Sequence, residues 1–152
     1  MSSFGYCPVT WMFCGKVSNE NINKVQRKAL RAVYNDYSSN FEQLLNKGNH
    51  LSIHEINKRF LLVEVYKCLN NINPVFLSDI FKQKSISHNL RISNLLILPK
   101  PNTVTGQKSF SYRGSMIWNN LPDDLKSCDN PPKLKLKLKS QNVIKCSCNI
   151  CS

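Results

Sequence analysis

Ser52-Ile53-His54-Glu55-Ile56-Asn57-Lys58-Arg59-Phe60-Leu61-Leu62-Val63-Glu64-Val65-Tyr66-Lys67-Cys68-Leu69-Asn70-Asn71 has the pattern of one long amphipathic helix on which the other elements must pack. Ser52 followed three places later by Glu55 is a capping box, which gives a helix a defined start. Ile53, Ile56, Phe60, Val63 and Tyr66 recur at three- and four-residue steps, and Leu62, Val65 and Leu69 widen the stripe. Glu55 and Arg59 make a favourable i,i+4 pair off that stripe. Asn70-Asn71 and then Pro74 end the helix. About 18 residues at about 1.5 Å each give a rod of roughly 27 Å, enough to cross a small domain. So wide an apolar face needs other helices packed on it. The expected fold class is therefore mainly α: a small helical bundle, then a basic segment with a short β-hairpin and short helices.

Outward from that helix, the chain divides into three expected parts: a helical domain over 1–82, a basic region over 83–141 and a Cys-rich tail over 142–152. In the first, Ser18 is expected to cap a helix with Ile22, Val25, Ala29 and Val33 inside and Lys24, Arg27, Lys28 and Arg31 outside, ending near Asn35. Ser39 with Glu42 reads as a second capping box, leading a short helix that Gly48 closes. Pro74 opens a further short helix carrying Phe76, Leu77, Ile80 and Phe81. In the second part, Arg91–Leu98, bounded by Pro99 and Pro101, reads as a strand. Thr103-Val104-Thr105 and Lys108-Ser109-Phe110 flank Gly106 as a candidate hairpin. Gly114–Leu121 is expected to be a short helix with Ile117, Trp118 and Leu121 inward, and Pro122-Asp123-Asp124 starts another turn. From Lys133 to Lys139 leucine and lysine alternate, as in a strand, but Pro131-Pro132 and the helix-forming residues favour a helix with Leu134 and Leu138 on one face and Leu136 outside.

At 152 residues and 41% hydrophobic, the chain has material for one ordinary core and is not broadly disordered. Its formal charge of +12 points to an anionic partner, with nucleic acid ahead of a membrane surface. Residues 1–79 hold 9 basic and 6 acidic side chains, a balance of +3, whereas residues 80–152 hold 12 and 3, a balance of +9. The electrostatic footprint thus lies in the second half; the plainer reading is a solvated basic surface. Seven cysteines are an odd number, Cys7, Cys14, Cys68 and Cys128 show no paired spacing, and there is no signal-peptide pattern. The expectation is therefore an intracellular chain, cytoplasmic or nuclear, with mostly reduced thiols. Met1–Gly15 is apolar but short and holds Pro8, so it does not span a bilayer.

Several motifs resemble one family in order. Tyr6-Cys7-Pro8-Val9-Thr10-Trp11-Met12-Phe13-Cys14 resembles the segment after the palm in non-LTR (LINE-type, jockey-like) retrotransposon reverse transcriptases. So do Lys28–Tyr37, Phe41-Glu42-Gln43-Leu44-Leu45, Tyr66-Lys67-Cys68-Leu69-Asn70, Asn73-Pro74, Asn89-Leu90-Arg91, Ser111-Tyr112-Arg113-Gly114 and Ile117-Trp118-Asn119-Asn120-Leu121-Pro122. Cys146-Ser147-Cys148-Asn149-Ile150-Cys151 resembles the family's terminal Cys-x-Cys-x-x-Cys. The resemblance implies the thumb and C-terminal end of an RNA-directed DNA polymerase, which grips template and product without joining nucleotides. Since family members run on past the cysteines and carry the palm upstream, the expectation is a truncated fragment.

No catalytic residues are assigned. Polymerisation needs carboxylates that hold two magnesium ions, and the one adjacent Asp pair, Asp123-Asp124, reads as a helix first turn. His50, His54 and His88 read as solvated or packed histidines, and Cys7 and Cys14 as core thiols. Nucleic-acid contact is assigned to Lys24, Lys28 and Arg31, to Arg91, Lys100, Lys108 and Arg113, and to Lys133, Lys135, Lys137 and Lys139, with Tyr112 for base stacking. Binding of RNA or DNA would be sequence-independent. No organic cofactor is expected; Cys146, Cys148 and Cys151 are a candidate zinc site, which needs a fourth ligand from Cys128, a histidine or further chain. The alternative function is a helical protein-interaction module using Phe4, Trp11 and Phe13.

Overall fold

Ser52 and Glu55 close their capping box as expected. In the computed structural model, which describes residues 8–12, 15–84 and 95–140, Glu55 N–H donates to Ser52 Oγ at 3.2 Å and Ser52 N–H to Glu55 Oε2 at 3.0 Å. The helix so started, α4, runs Ile53–Leu69. Before it come α1 (Pro8–Trp11), α2 (Lys16–Tyr34) and α3 (Phe41–Lys47). After it come α5 (Val75–Ser78), α6 (Phe110–Asn119), α7 (Asp123–Lys126) and α8 (Pro131–Ser140). The fold is mainly α. No helix among the described residues is long and apolar enough to cross a membrane. The described residues up to Lys58 belong to one compact unit and those from Arg59 to a second, so α4 begins in the first and continues in the second.

In the first unit the buried face of α2 differs from expectation. The helix starts at Lys16 from Gly15, with no side-chain cap, and Ser18 lies within its first turn. Asn19 and Leu30 are buried, with Ile22, Asn23, Gln26, Arg27 and Tyr34 half-buried between and beyond them. Val25 and Val33 point outward, Val33 at 72% exposure. At about 100° per residue the buried face is turned roughly a quarter of the way around from the most apolar stripe. The polar members of that face explain the turn. Gln26 Nε2 donates to Leu51 O at 2.8 Å and its Oε1 accepts from Ile53 N–H at 3.0 Å, so one amide brackets the chain entering α4.

The α2–α3 turn is built on Asp36. Asn35 ends α2 in the left-handed region, with φ 47°, as expected for the cap position. The Asp36 carboxylate then accepts from Ser38 N–H and Oγ, Ser39 N–H and Oγ, and Lys47 Nζ. Because Ser39 is used this way, the capping box of α3 is formed one residue later than expected, by Asn40 and Gln43. Gly48 is not left-handed; Asn49 takes that role, with φ 50°.

In the second unit α4 is buried on nearly every side: Leu61, Leu62, Val63, Val65, Tyr66 and Cys68 are all inside. Phe60, expected on the stripe, is 40% exposed; Ile56, also expected there but in the first unit's part of α4, is 37% exposed, and Asn57 beside it is buried. The Tyr66 hydroxyl donates to Cys128 O at 2.8 Å, and its ring lies 6.5 Å from that of Trp118. Phe81 meets Phe110 edge-on at 5.0 Å. Gly114 of α6 sits where an added Cβ would lie 2.9 Å from both Phe81 Cζ and Val65 Cγ2, closer than packed carbons approach.

The strand and hairpin expectations are overturned within the described residues; Arg91–Asn94 lie outside them. What remains is one antiparallel bridge, Gln83 with Leu96, flanked by Lys84 N–H to Leu95 O and Ile97 N–H to Lys82 O, both 2.8 Å. On the edge away from Gln83, the Leu96 N–H and C=O are taken by the Asn119 amide rather than by a further strand. Thr103 prevents the hairpin: its Oγ1 accepts from Gly106 N–H at 3.0 Å and its carbonyl from Gln107 N–H at 3.1 Å, turning 106–108 into 3₁₀ helix. Ser109 then caps α6 through Tyr112 N–H, four residues earlier than Gly114–Leu121 implied.

Two outcomes test this packing. Gly114→Ala should cost about 1–3 kcal/mol in urea unfolding, through overpacking against Phe81 and Val65; an unchanged midpoint would mean the helices do not approach so closely. The Lys47 ammonium, followed by Ser39, holds the Asp36 carboxyl far below the usual carboxylate range. Since the native group has the lower pKa, its stabilisation is fully present above the ordinary value of about 3.9 and is lost progressively as pH falls below that toward the depressed native value. Asp36→Asn should therefore flatten the loss of melting temperature between about pH 5 and pH 2.

Candidate nucleic-acid interface

Asn130 starts α8 by accepting from Lys133 N–H at 2.9 Å. Leu134 and Leu138, one turn apart, are buried, and Leu136 stands out at 66% exposure, as the helical reading of the ladder requires. The same spacing sorts the lysines into two pairs. Lys133 binds Asp129 at 2.7 Å, which holds the Asp129 carboxyl below and lifts the Lys133 ammonium above its usual value. Lys137 binds Asp124 Oδ1 and its carbonyl, each at 3.0 Å. Lys135 and Lys139 are exposed and have no acidic partner among the described residues.

The pattern extends through the second unit. Lys67 pairs with Glu64 at 2.7 Å, and the buried Lys126 reaches Asp123 Oδ1 and Asn119 O, each at 3.4 Å. The acids are thus consumed locally; among the described residues of this unit only Asp79 has no lysine partner. Lys82, Lys84 and Lys100 are exposed and Lys108 half-buried, none of them paired with an acid among the described residues. Lys82 and Lys84, absent from the expected contact set, flank the Gln83–Leu96 bridge. Arg113 is half-buried, its Nε enclosed without a hydrogen-bond partner, and Tyr112 is half-buried on the same helix. The segment leading to Lys100 is held by Asn119: Oδ1 accepts from Leu96 N–H at 2.8 Å and Nδ2 donates to Leu96 O at 2.9 Å.

In the first unit Lys24 and Lys28 are exposed on α2, while Arg31 is half-buried and directed to Ser39 O at 3.5 Å. Glu20, Asn23, Lys24, Arg27 and Phe41 line a cleft of about 230 Å³ between α2 and the start of α3. Asp123-Asp124 is the first turn of α7, as expected. His50 Nε2 lies 2.8 Å from the Tyr34 hydroxyl. Cys128 is buried, its thiol 3.9 Å from Asp124 O, and burial raises the pKa of Cys68. Among the described residues no three His, Cys, Asp or Glu side chains gather to hold a metal ion. Arg91, His88, Cys7, Cys14, Phe4, Phe13 and the Cys146, Cys148, Cys151 cluster lie outside the described residues. Trp11 is half-buried.

No family model, curated protein or solved structure matches the chain.

The Asn119 bracket is testable. Asn119→Ala leaves the Leu96 N–H and C=O without their partners and should lower stability by about 1–3 kcal/mol, with faster amide exchange at Leu96. Protection at Leu96 equal to that of the parent would show the bracket to be dispensable.

Proposed function

We propose that this chain grips RNA or DNA through the phosphate backbone, as a non-catalytic region downstream of the palm of a non-LTR retrotransposon RNA-directed DNA polymerase. The observation that carries the reading is electrostatic. In the second unit most carboxylates are tied to a nearby lysine, leaving Lys82, Lys84, Lys100, Lys108, Lys135 and Lys139 without a counter-charge among the described residues. A phosphate chain supplies that counter-charge at regular spacing, and each contact releases condensed counterions. Such contacts carry no base information, so affinity is expected to be indifferent to sequence. The assignment to this polymerase family rests on the ordered motifs from Tyr6 to Cys151. Two of those motifs do structural work that suits such a scaffold: Trp118 and Asn119 hold α4 and Leu96, and Gly114 admits Phe81.

Six phosphate contacts predict a slope of log affinity against log salt of about −5 on duplex DNA. Lys135→Gln with Lys139→Gln should make that slope shallower by about 2 and weaken unrelated sequences equally. A titration that is flat from low to physiological salt would end the proposal.

A further inference from the structure

The cleft on the first unit has a composition of its own. Phe41, the first residue of α3, gives it a half-buried aromatic wall, and one face of α2 supplies Glu20, Asn23, Lys24 and Arg27. None of these four polar side chains has a hydrogen bond or an ion pair among the described residues, although Glu20 and Lys24 are spaced as an i,i+4 pair. The space, about 230 Å³, is below the roughly 300–1,000 Å³ of sites for drug-sized ligands. It suits one flat ring rather than a whole folded ligand.

Three kinds of group are thus brought to one small cleft: an aromatic face, two cations, and an amide beside a carboxylate. We infer that this cleft receives a single unpaired nucleotide of a single-stranded nucleic acid, its base stacked on Phe41 and its phosphate on Lys24 and Arg27. This rests on the backbone-binding reading above and adds a base-dependent contact to it. An aromatic platform beside cations is the general means of holding an unpaired base, since every base has a π face. Asn23 and Glu20 add a bias. A carboxylate accepts from an exocyclic amine, and an asparagine amide both accepts from the adenine amine and donates to its ring nitrogen. Adenine and cytosine, which carry that amine at the pairing edge, are favoured over thymine and uracil.

The test uses the full chain and labelled single strands of equal length: oligodeoxyadenylate, oligothymidylate and an abasic strand. The parent should bind oligodeoxyadenylate more tightly than the abasic strand. Phe41→Ala should lose about tenfold on oligodeoxyadenylate and nothing on the abasic strand; Asn23→Ala should narrow the preference for adenine over thymine. If Phe41→Ala fails to fold by circular dichroism, Phe41→Leu is read instead, since it keeps apolar bulk without a stacking face. Salt-dependent binding with the same affinity for base-bearing and abasic strands, in parent and variants alike, overturns the inference and leaves the backbone reading standing. Absence of salt-dependent binding to any strand overturns both.

Discussion

The second unit depends on placing Tyr66. Its side chain is buried beside Trp118, and a phenol without water needs an acceptor. It finds one in the carbonyl of Cys128, 62 residues away. Burial raises the phenol pKa further, so the group remains a donor. That bond ties α4 to the turn between α7 and α8, after which Asn130 caps α8. Leu134 and Leu138 of α8 face the core, which leaves Lys135 and Lys139 outward.

Side-chain amides do a second structural task. Gln26 and Asn119 each bracket one stretch of irregular backbone with a donor and an acceptor, at the entrance to α4 and at Leu96. Backbone polar groups in half-buried segments need partners whether or not a strand is nearby. An amide with both functions on one rigid plane satisfies them without a second strand, which is how a mainly helical chain carries an extended segment.

The charge of +12 understates how the molecule is organised. Net charge counts acids and bases alike, but geometry pairs most acids of the second unit with particular lysines, three of them only three or four residues away. Those pairs are mostly near water and contribute little stability. Their larger effect is to decide which cations remain available to an anion. Lys133 and Lys137, indistinguishable from Lys135 and Lys139 in the alternating run, differ from them only because Asp129 and Asp124 are within reach.

Sequence alone determined the features that depend on near neighbours along the chain. The Ser52–Glu55 cap, the end of α2 at Asn35, the Asp123-Asp124 first turn and the two leucines of α8 facing inward all follow from spacings of three or four residues. Periodicity also showed that α4 is central and that the class is mainly α. It misjudged the buried face of α2, where Gln26 is used inside. On α4 it misplaced Ile56 and Phe60, while Ile53, Leu62, Val63, Val65 and Tyr66 are buried as expected. The cap of α3 and the turn at Thr103 differ because local polar groups took other partners: Ser39 N–H and Oγ go to the Asp36 carboxylate, and Thr103 Oγ1 accepts from Gly106 N–H. Only the tertiary structure could bring Asn119 to Leu96, Tyr66 to Cys128, or Phe41 to the basic face of α2. Those partners are joined by packing across many residues, and no local pattern records which distant group fills a given space.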